Sequence, residues 1–528
     1  MSTPPSAVEK MGQPDAASPE ENRSSQAGEY RTVFRSTSIM GGAAALNMAI
    51  GMVRAKVMAV LLGPAGTGLM GLYGQVTGLV GTASNFGITS SGVRQIAEAA
   101  GTEDKTRIAE TDLTVRRVAW LTGSLGAIGQ LSLCWLLSRW TFGDTLHWRA
   151  IAALSIIPLL GALSGGQVAR IQGLRRIGDL ARQSVLGALA GTVSGIVLIW
   201  YFGFKGIVPQ MLAVSALTLA FSHYFSNKIS LDKVRLSWHD TVHHAKGLMS
   251  LGFSFMASSL AGVVATYLIA ALIAHRLGVQ ANGLYLAAWS LSGLYANFVL
   301  SAMGADYYPR LTAVAHDKRL LVPMVNQQAE VALLIATPGI VGTLAFAPLA
   351  IHIFYSAAYA EAYDVMRWLI LGVFLRLVSW PLGYILLAKG EAMLFLITEI
   401  LHQILNVLLV LALIGPMGLP GVGAAVAVLY VVYSAVVLFI ARFKFEFRYT
   451  RAYPLLLGAC MAMTLGAFFL NEITRALWRY SLGVAISLTA CLFCGYILKR
   501  LMGLGDLREV LLVAARLAGL KKGASVKP

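Results

Sequence analysis

Charge is scarce in this chain: Asp, Glu, Lys and Arg make up 13% of its 528 residues, against 57% hydrophobic. Soluble domains carry about 25% charged residues, so water is not the main solvent here. Segments of about 10 residues alternating in polarity are missing, which excludes a membrane β-barrel. A phosphate-cradling glycine loop is missing too, and with it direct ATP hydrolysis by a P-loop fold. The stretch from Met1 to Tyr30, rich in Ser, Pro, Glu and Gln, lacks the basic start, short apolar core and cleavage site of a signal peptide. It reads as part of an unstructured cytoplasmic leader over 1–34. Only four cysteines occur, Cys134, Cys460, Cys491 and Cys494, all inside apolar blocks. The spacing of Cys491 and Cys494 fits small apolar packing in a helix ahead of redox or metal chemistry. His239 and His243 stand one helical turn apart but have no third ligand set nearby, so no metal site is expected.

What is present in abundance is apolar blocks of about 20 residues, enough at 1.5 Å per residue to cross a roughly 30 Å hydrocarbon layer. They fall near 37–62, 67–92, 118–138, 150–170, 184–202, 206–226, 248–274, 281–305, 326–355, 366–388, 393–413, 420–441, 455–471 and 480–498, about fourteen spans. With the N-terminus inside, 32 of the 42 Lys and Arg lie on inner segments and six on outer connections, the bias of the positive-inside rule. Both termini are expected in the cytoplasm. The net charge of +17 follows from this topology and from attraction to anionic headgroups, and is not a nucleic-acid footprint. Trp140, Trp148, Trp200 and Trp478, near span ends, fit an interfacial belt. From Gly505 to Lys522, Leu507, Val510, Leu511, Ala514 and Leu517 share a face flanked by Arg508, Arg516, Lys521 and Lys522. A helix of that pattern lies along the inner membrane surface.

The chain also repeats itself. The first span exits through LGPAGTGLMGLY and the seventh through LGVQANGLYLAA, aligning Leu62, Gly63, Gly68 and Leu69 with Leu277, Gly278, Gly283 and Leu284. An even number of spans separates the copies, so the repeat is parallel, with its axis along the membrane normal. The predicted architecture is an all-α polytopic membrane protein. An N-lobe over 35–226 and a C-lobe over 248–443, six helices each, are joined by a cytoplasmic linker at 227–247. Two extra spans over 444–498 and a basic tail over 499–528 follow. A weaker echo pairs Gly173 in ARIQGLRRIGD with Gly390 in LLAKGEAMLF.

In their order, LGPAGTGLMGLYGQ, NFGITSSGVRQIAE, IQGLRRIGDLAR and GLPGVGAAVAVL resemble the Wzx-type O-antigen flippases. That family is the polysaccharide-transporter branch of the multidrug, oligosaccharidyl-lipid and polysaccharide exporter superfamily. The resemblance covers residues 35–445, and spans thirteen and fourteen exceed its common twelve. It implies two lobes around a central cavity. It further implies transfer of an undecaprenyl-pyrophosphate-linked oligosaccharide, an O-antigen or exopolysaccharide repeat unit, from the cytoplasmic to the periplasmic leaflet of a bacterial inner membrane. No cofactor is implied beyond coupling to H+ or Na+; the partners would be the bilayer, an O-antigen polymerase and chain-length machinery.

Several charges sit at membrane depth, where each needs a polar cavity or partner. Arg54 lies two thirds along the first span, and its repeat counterpart is Ile269, so fold symmetry does not require it. Lys56 is about 200° round the helix, so only one of the two points squarely at a cavity. Arg54 is the first candidate for the pyrophosphate, because guanidinium binds phosphate oxygens in bidentate fashion and keeps its proton. Lys56 is a further candidate, and the alternative for both residues is that they snorkel to the periplasmic headgroups. Arg376, near the middle of span ten, is the second anion-binding candidate, and Arg367, near the outer end, either contributes or snorkels. Pro381 is a hinge candidate or a plain kink. In span eleven, Glu399, His402, Gln403 and Asn406 fall within an arc of about 100°. Glu399 and His402 are candidates for binding a coupling ion, and the whole stripe could equally be an interhelical hydrogen-bond seam. Asp306 reads as a local partner of Arg310.

Three other functions are weighed against a sugar-lipid flippase. A glycosyltransferase or polymerase would need a sizeable soluble domain, and the loops are too short to build one. A multidrug cation antiporter would line its cavity with carboxylates, and the deep charges here are mainly cationic. A lipid II flippase would meet the same pyrophosphate and stays open.

Overall fold

A computed structural model describes the backbone of residues 19–517 except 86, 103, 233 and 474. Side chains are described within 39–501, apart from some at 242–258, 298, 302, 305 and 471. Among the described residues every regular element is helical. The first lobe holds α1 (Pro19–Asn85), α2 (Ile88–Ala100), α3 (Lys105–Ser132), α4 (Cys134–Phe142), α5 (Trp148–Ala153), α6 (Ile156–Gly173), α7 (Ile177–Phe202) and α8 (Ile207–Asn227). The second holds α9 (Trp238–Leu277), α10 (Val279–Ser292), α11 (Leu294–Ala313), α12 (Lys318–Ala345), α13 (Ala347–Phe354), α14 (Ala362–Ala388), α15 (Ala392–Met417) and α16 (Leu419–Phe445). Then come α17 (Ala452–Phe469) and α18 (Ala476–Leu517), which pack on α12. Cys460 and Cys494 from these two helices are buried in the core of the second lobe, while Cys491 is exposed.

Ten helices among the described residues are long and apolar enough to cross a bilayer, or twelve if each bent pair, α3 with α4 and α10 with α11, is one span. Two of the ten, Ile39–Asn85 and Ile177–Asn227, run to 47 and 51 residues. At 1.5 Å per residue each would reach about 70 Å, twice what a hydrocarbon core of roughly 30 Å needs. Each is divided by a glycine, Gly63 (φ 62, ψ −173) and Gly203 (φ 53, ψ −131), into two halves each long enough for one crossing. Whole helices thus number ten to twelve, and the about fourteen expected spans correspond to counting these two by halves. Pro64 explains the first break: it excludes a helical ψ at Gly63, and the positive φ suits glycine alone.

The repeat runs further than its motif. At the spacing that pairs Gly68 with Gly283, Gly278 (φ 87) matches Gly63 and Gly418 (φ 64) matches Gly203. A Cβ on Gly206 would lie 2.5 Å from the Leu198 carbonyl oxygen, and one on Gly421 would lie 2.2 Å from that of Leu413, a second pair of contacts in the same register. The weaker echo needs correction. Gly390 (φ 75) corresponds to Arg175 (φ 54), not to Gly173. Both close the same helix-end motif, with Arg176 N–H donating to Ile171 O and Glu391 N–H to Leu386 O, each 2.9 Å. Gly173 serves instead to let α6 approach α2, since its Cβ would meet Ile96 Cβ at 2.8 Å.

The two ends of the chain extend helices. α1 begins at Pro19, inside the stretch expected to be unstructured; proline is tolerated at a first helical position because no N–H is needed there. Residues 1–18 lie outside those described. α18 continues without a break from span fourteen to Leu517, and the amphipathic face expected over 505–522 falls on side chains outside those described.

One ion pair is fully enclosed in the first lobe. Arg170, at the end of α6, lies 3.6 Å from Asp112 of α3, both under a tenth exposed, and donates a further hydrogen bond to Ile229 O. Breaking such a pair leaves an uncompensated charge. Asp112→Leu or Arg170→Leu alone is expected to destabilise by about 3–5 kcal/mol, with much of the loss recovered in the double variant. Chemical denaturation in detergent checks this; a double variant no more stable than either single one would show that the pairing is not what matters.

Candidate functional site

The lobes meet at the side opposite the start of α1, and the repeat motif makes the junction. A Cβ on Gly68 would lie 2.0 Å from Val279 O, and one on Gly283 would lie 1.9 Å from Pro64 O, so each glycine sits on the backbone of the opposite lobe. The two contacts are related by the repeat, which places the pseudo-two-fold axis between them. Asn282 Nδ2 donates to Gly68 O at 3.2 Å, and Thr67, its repeat counterpart, shares a 2.7 Å hydrogen bond with the Tyr359 hydroxyl. Thr141 with Tyr267 (2.8 Å) and His275 Nε2 with Trp140 O (2.9 Å) add further links between lobes. On the basic side, Arg117 of α3 reaches Ser237 O and Thr241 at the start of α9.

Lys56 takes part in this closure. Its Nζ donates to His352 O (3.0 Å) and Tyr355 O at the C-terminal end of α13, where free carbonyls and the helix dipole favour a cation. It neither snorkels nor joins Arg54. Arg367 is likewise engaged: it pairs with Glu472 (3.0 Å) and Asp364 (3.5 Å) and covers the Phe468 ring. Both residues tie helices together.

Arg54 differs. It is half-buried on the face of α1 that carries Asn47 and buried Met58 into the first lobe, where Asn47 bonds Ser184 of α7. Among the described residues it has no hydrogen-bond or ion-pair partner. Its counterpart Ile269 is packed in the core.

In the second lobe, residues chosen from two separate spans come together. Arg376 of α14 and Glu399 and His402 of α15 line one cavity of about 240 Å³, walled by Trp380, Tyr384 and Tyr433. Arg376 donates to Asn297 Oδ1 at 2.9 Å, while Tyr433 donates to Glu399 Oε1 at 2.8 Å. The arginine and the carboxylate thus share a cavity yet are each held by a neutral group. His402 lies edge-on to Tyr433, 4.7 Å between ring centres, and its Nδ1 is buried without a partner among the described residues. Gln403 points to α9 beside Gly262, away from the cavity that Glu399 and His402 line, and Asn406 Oδ1 is buried without a partner among the described residues. Pro381 does not break α14, which runs on to Ala388. Hydroxyls brace the backbone around it, Tyr307 on Pro381 O and Tyr449 on Val378 O, both 3.1 Å. Asp306 pairs with Arg310 at 2.9 Å as expected. Reading the sequence missed Asn297, Tyr433, Thr67 and Tyr359. Only the alignment of Thr67 with Asn282 in the repeat motif could have flagged one of them.

Two pseudo-symmetric lobes of this topology, joined through the repeat motif at one side and bridged by α9 against α2 and α3 at the basic side, have a transporter fold of the multidrug, oligosaccharidyl-lipid and polysaccharide exporter superfamily. Residues 57–364 match the family described as polysaccharide biosynthesis protein, and the chain belongs to that family. The lipid III flippase of Escherichia coli (strain K12) is 20% identical over 396 residues, 72% of this chain and 92% of that one, and the lipid III flippase of Shigella flexneri matches equally. Among solved structures, the lipid II flippase MurJ in an inward closed conformation is similar at a TM-score of 0.65 and 15% identity, covering 87% of this chain and 98% of that one. An inward-facing multidrug resistance transporter of the MATE family reaches 0.64 at 16% identity, covering 79% and 96%.

Proposed function

We propose that the protein is a flippase that moves an undecaprenyl-pyrophosphate-linked oligosaccharide, an O-antigen or exopolysaccharide repeat unit, from the cytoplasmic to the periplasmic leaflet of the inner membrane. The observation that carries this reading is that the deep charges break the repeat. Arg54 in one lobe and Arg376 in the other have apolar or glycine counterparts, Ile269 and Gly161, so folding does not call for them. Two arginines without carboxylate partners among the described residues suit an anionic headgroup shared between rocking lobes. The basic side is taken as cytoplasmic, with both termini there, and the junction at Gly68 and Gly283 closes the path to the periplasm. The polyprenyl chain stays in lipid while the headgroup crosses. An interior-negative potential of 100 mV favours outward movement of two negative charges by about 4–5 kcal/mol. Coupling to H+ or Na+ at Glu399 adds to this, and no bond-making chemistry is assigned. An O-antigen polymerase and chain-length machinery would receive the product.

The test is translocation of a labelled lipid-linked oligosaccharide by the full chain in proteoliposomes. Protein-dependent outward movement is expected; exchange of a lipophilic cation for protons, with no glycan movement, would replace this reading by multidrug antiport. In the same assay Glu399→Gln is expected to abolish the response of transport to an imposed H+ or Na+ gradient. An unchanged response would remove Glu399 from coupling.

A further inference from the structure

A second basic site lies on the second lobe, away from the junction between lobes. Between the start of α12 and the end of α16 opens a cavity of about 1150 Å³ lined by Lys318, Arg319, Arg442 and Arg448, with Phe439 and Phe443 on its wall. It shares no residue with the cavity of Arg376. One carboxylate, Glu446, faces these four cations, and Lys318 pairs with it. The guanidinium groups of Arg319 and Arg442 have no partner among the described residues.

The chain is shaped to hold these charges together. Glu446 ends α16 at φ 51, one of two non-glycine residues with positive φ among those described, and turns residues 446–450 back toward α12. Asn326, 3% exposed, fastens that segment by donating to Arg448 O (3.1 Å) and accepting from Thr450 N–H (2.9 Å). Arg448 thereby stands beside Arg442 instead of continuing away from it. The start of α12 also lies at the rim, where the Asp317 carboxylate already caps the helix by accepting from Arg319 N–H at 2.8 Å, so the attraction for an anion rests on the side-chain cations. Next to the cations, Phe439 and Phe443 are 61% and 70% exposed, one turn apart with ring centres 4.3 Å from each other. Unpaired arginines bordering an exposed apolar wall, at the basic end of two spans, match a ligand with an anionic head and a hydrocarbon tail.

We propose that this cavity binds an anionic phospholipid of the leaflet on the basic side, its phosphate among Arg319, Arg442 and Arg448 and an acyl chain along Phe439 and Phe443. The proposal stands independently of the transported substrate. The site faces the bilayer on one lobe, where a resident lipid is already at high concentration.

Native mass spectrometry of the full-length protein tests it, after equilibration in detergent with phosphatidylglycerol, phosphatidylcholine or undecaprenyl phosphate. Phosphatidylglycerol should be retained ahead of phosphatidylcholine. Each of Arg319→Gln, Arg442→Gln and Arg448→Gln should weaken retention roughly fivefold, on the basis of about 1 kcal/mol per basic residue near an anionic surface. Arg94→Gln and Lys105→Gln, on the same side of the other lobe, should leave it unchanged. Making the changes singly keeps the readout if the triple variant misfolds. Equal retention of the two phospholipids, or equal losses in the control variants, would overturn the site. Preferential retention of undecaprenyl phosphate, lost in the same three variants, would overturn the assignment to phospholipid and give the cavity to the polyprenyl substrate.

Discussion

Oxidising a Gly71→Cys, Leu286→Cys variant is expected to link α1 to α10 and stop transport until a reductant is added. These positions are repeat counterparts, in the register that pairs Gly68 with Gly283, and face each other across the pseudo-two-fold axis. A Cβ on Gly71 would lie 2.1 Å from Leu286 Cδ1 and 3.5 Å from its Cγ. Replacing the leucine removes the atom that would clash and leaves two Cβ atoms within the roughly 3.5–4.5 Å that a disulfide spans. Shifting a two-state equilibrium from 1:99 to 99:1 takes about 5.5 kcal/mol, and a covalent link exceeds that, so the closed junction becomes permanent. Activity should fall below detection and return on reduction. The single Gly71→Cys variant should be impaired under both conditions, because its side chain must displace Leu286. Undiminished transport by the cross-linked protein would mean that the junction does not open during the cycle.

Arg376→Ala is expected to lower translocation by about 30-fold, the low end of the roughly 2–5 kcal/mol that losing one member of a hydrogen-bonded charged contact costs, because Arg376 is only half-buried. Arg376→Lys should fall between the two, because the ammonium keeps the charge but not the planar fork that grips a phosphate through two bonds. Arg54→Ala should behave like Arg376→Ala. Neither change should unfold the protein in the way Arg170→Leu does. Among the described residues Arg376 is held by the neutral amide of Asn297 and Arg54 has no partner, whereas Arg170 is locked to Asp112. Stability and transport therefore separate the two kinds of arginine. Normal translocation by both alanine variants would end the anion-site proposal and leave the glycan to be recognised elsewhere.

The comparison between chain and fold is sharpest at three residues. Lys56 and Arg54 stand two apart on one helix and read as rivals for one cavity; the carbonyl end of α13, brought in from a distant part of the chain, takes Lys56 and leaves Arg54 without a partner among the described residues. Arg367 is placed to reach the headgroups, but Glu472 in the turn before α18 meets it first. The α13 carbonyls and Glu472 leave no trace near these residues in the sequence; of the partners of Arg367 only Asp364, one helical turn away, is local. By contrast Asp306 and Arg310 are readable, because the partners lie one helical turn apart.

The sequence alone determined membrane residence, about fourteen crossings, and a parallel repeat, because these depend on local quantities: the apolar length of a span, the charge of a loop, a glycine where φ must be positive. Which group each deep charge meets was decided by tertiary structure. Once hydrocarbon excludes water, a charge is defined by whichever polar group can reach it, and that group comes from another helix. Thus Arg376, Glu399 and His402 became one cavity, Lys56 became a clamp between lobes, and Gly68 and Gly283, in the sequence no more than a repeated motif, became the surface on which the two lobes meet.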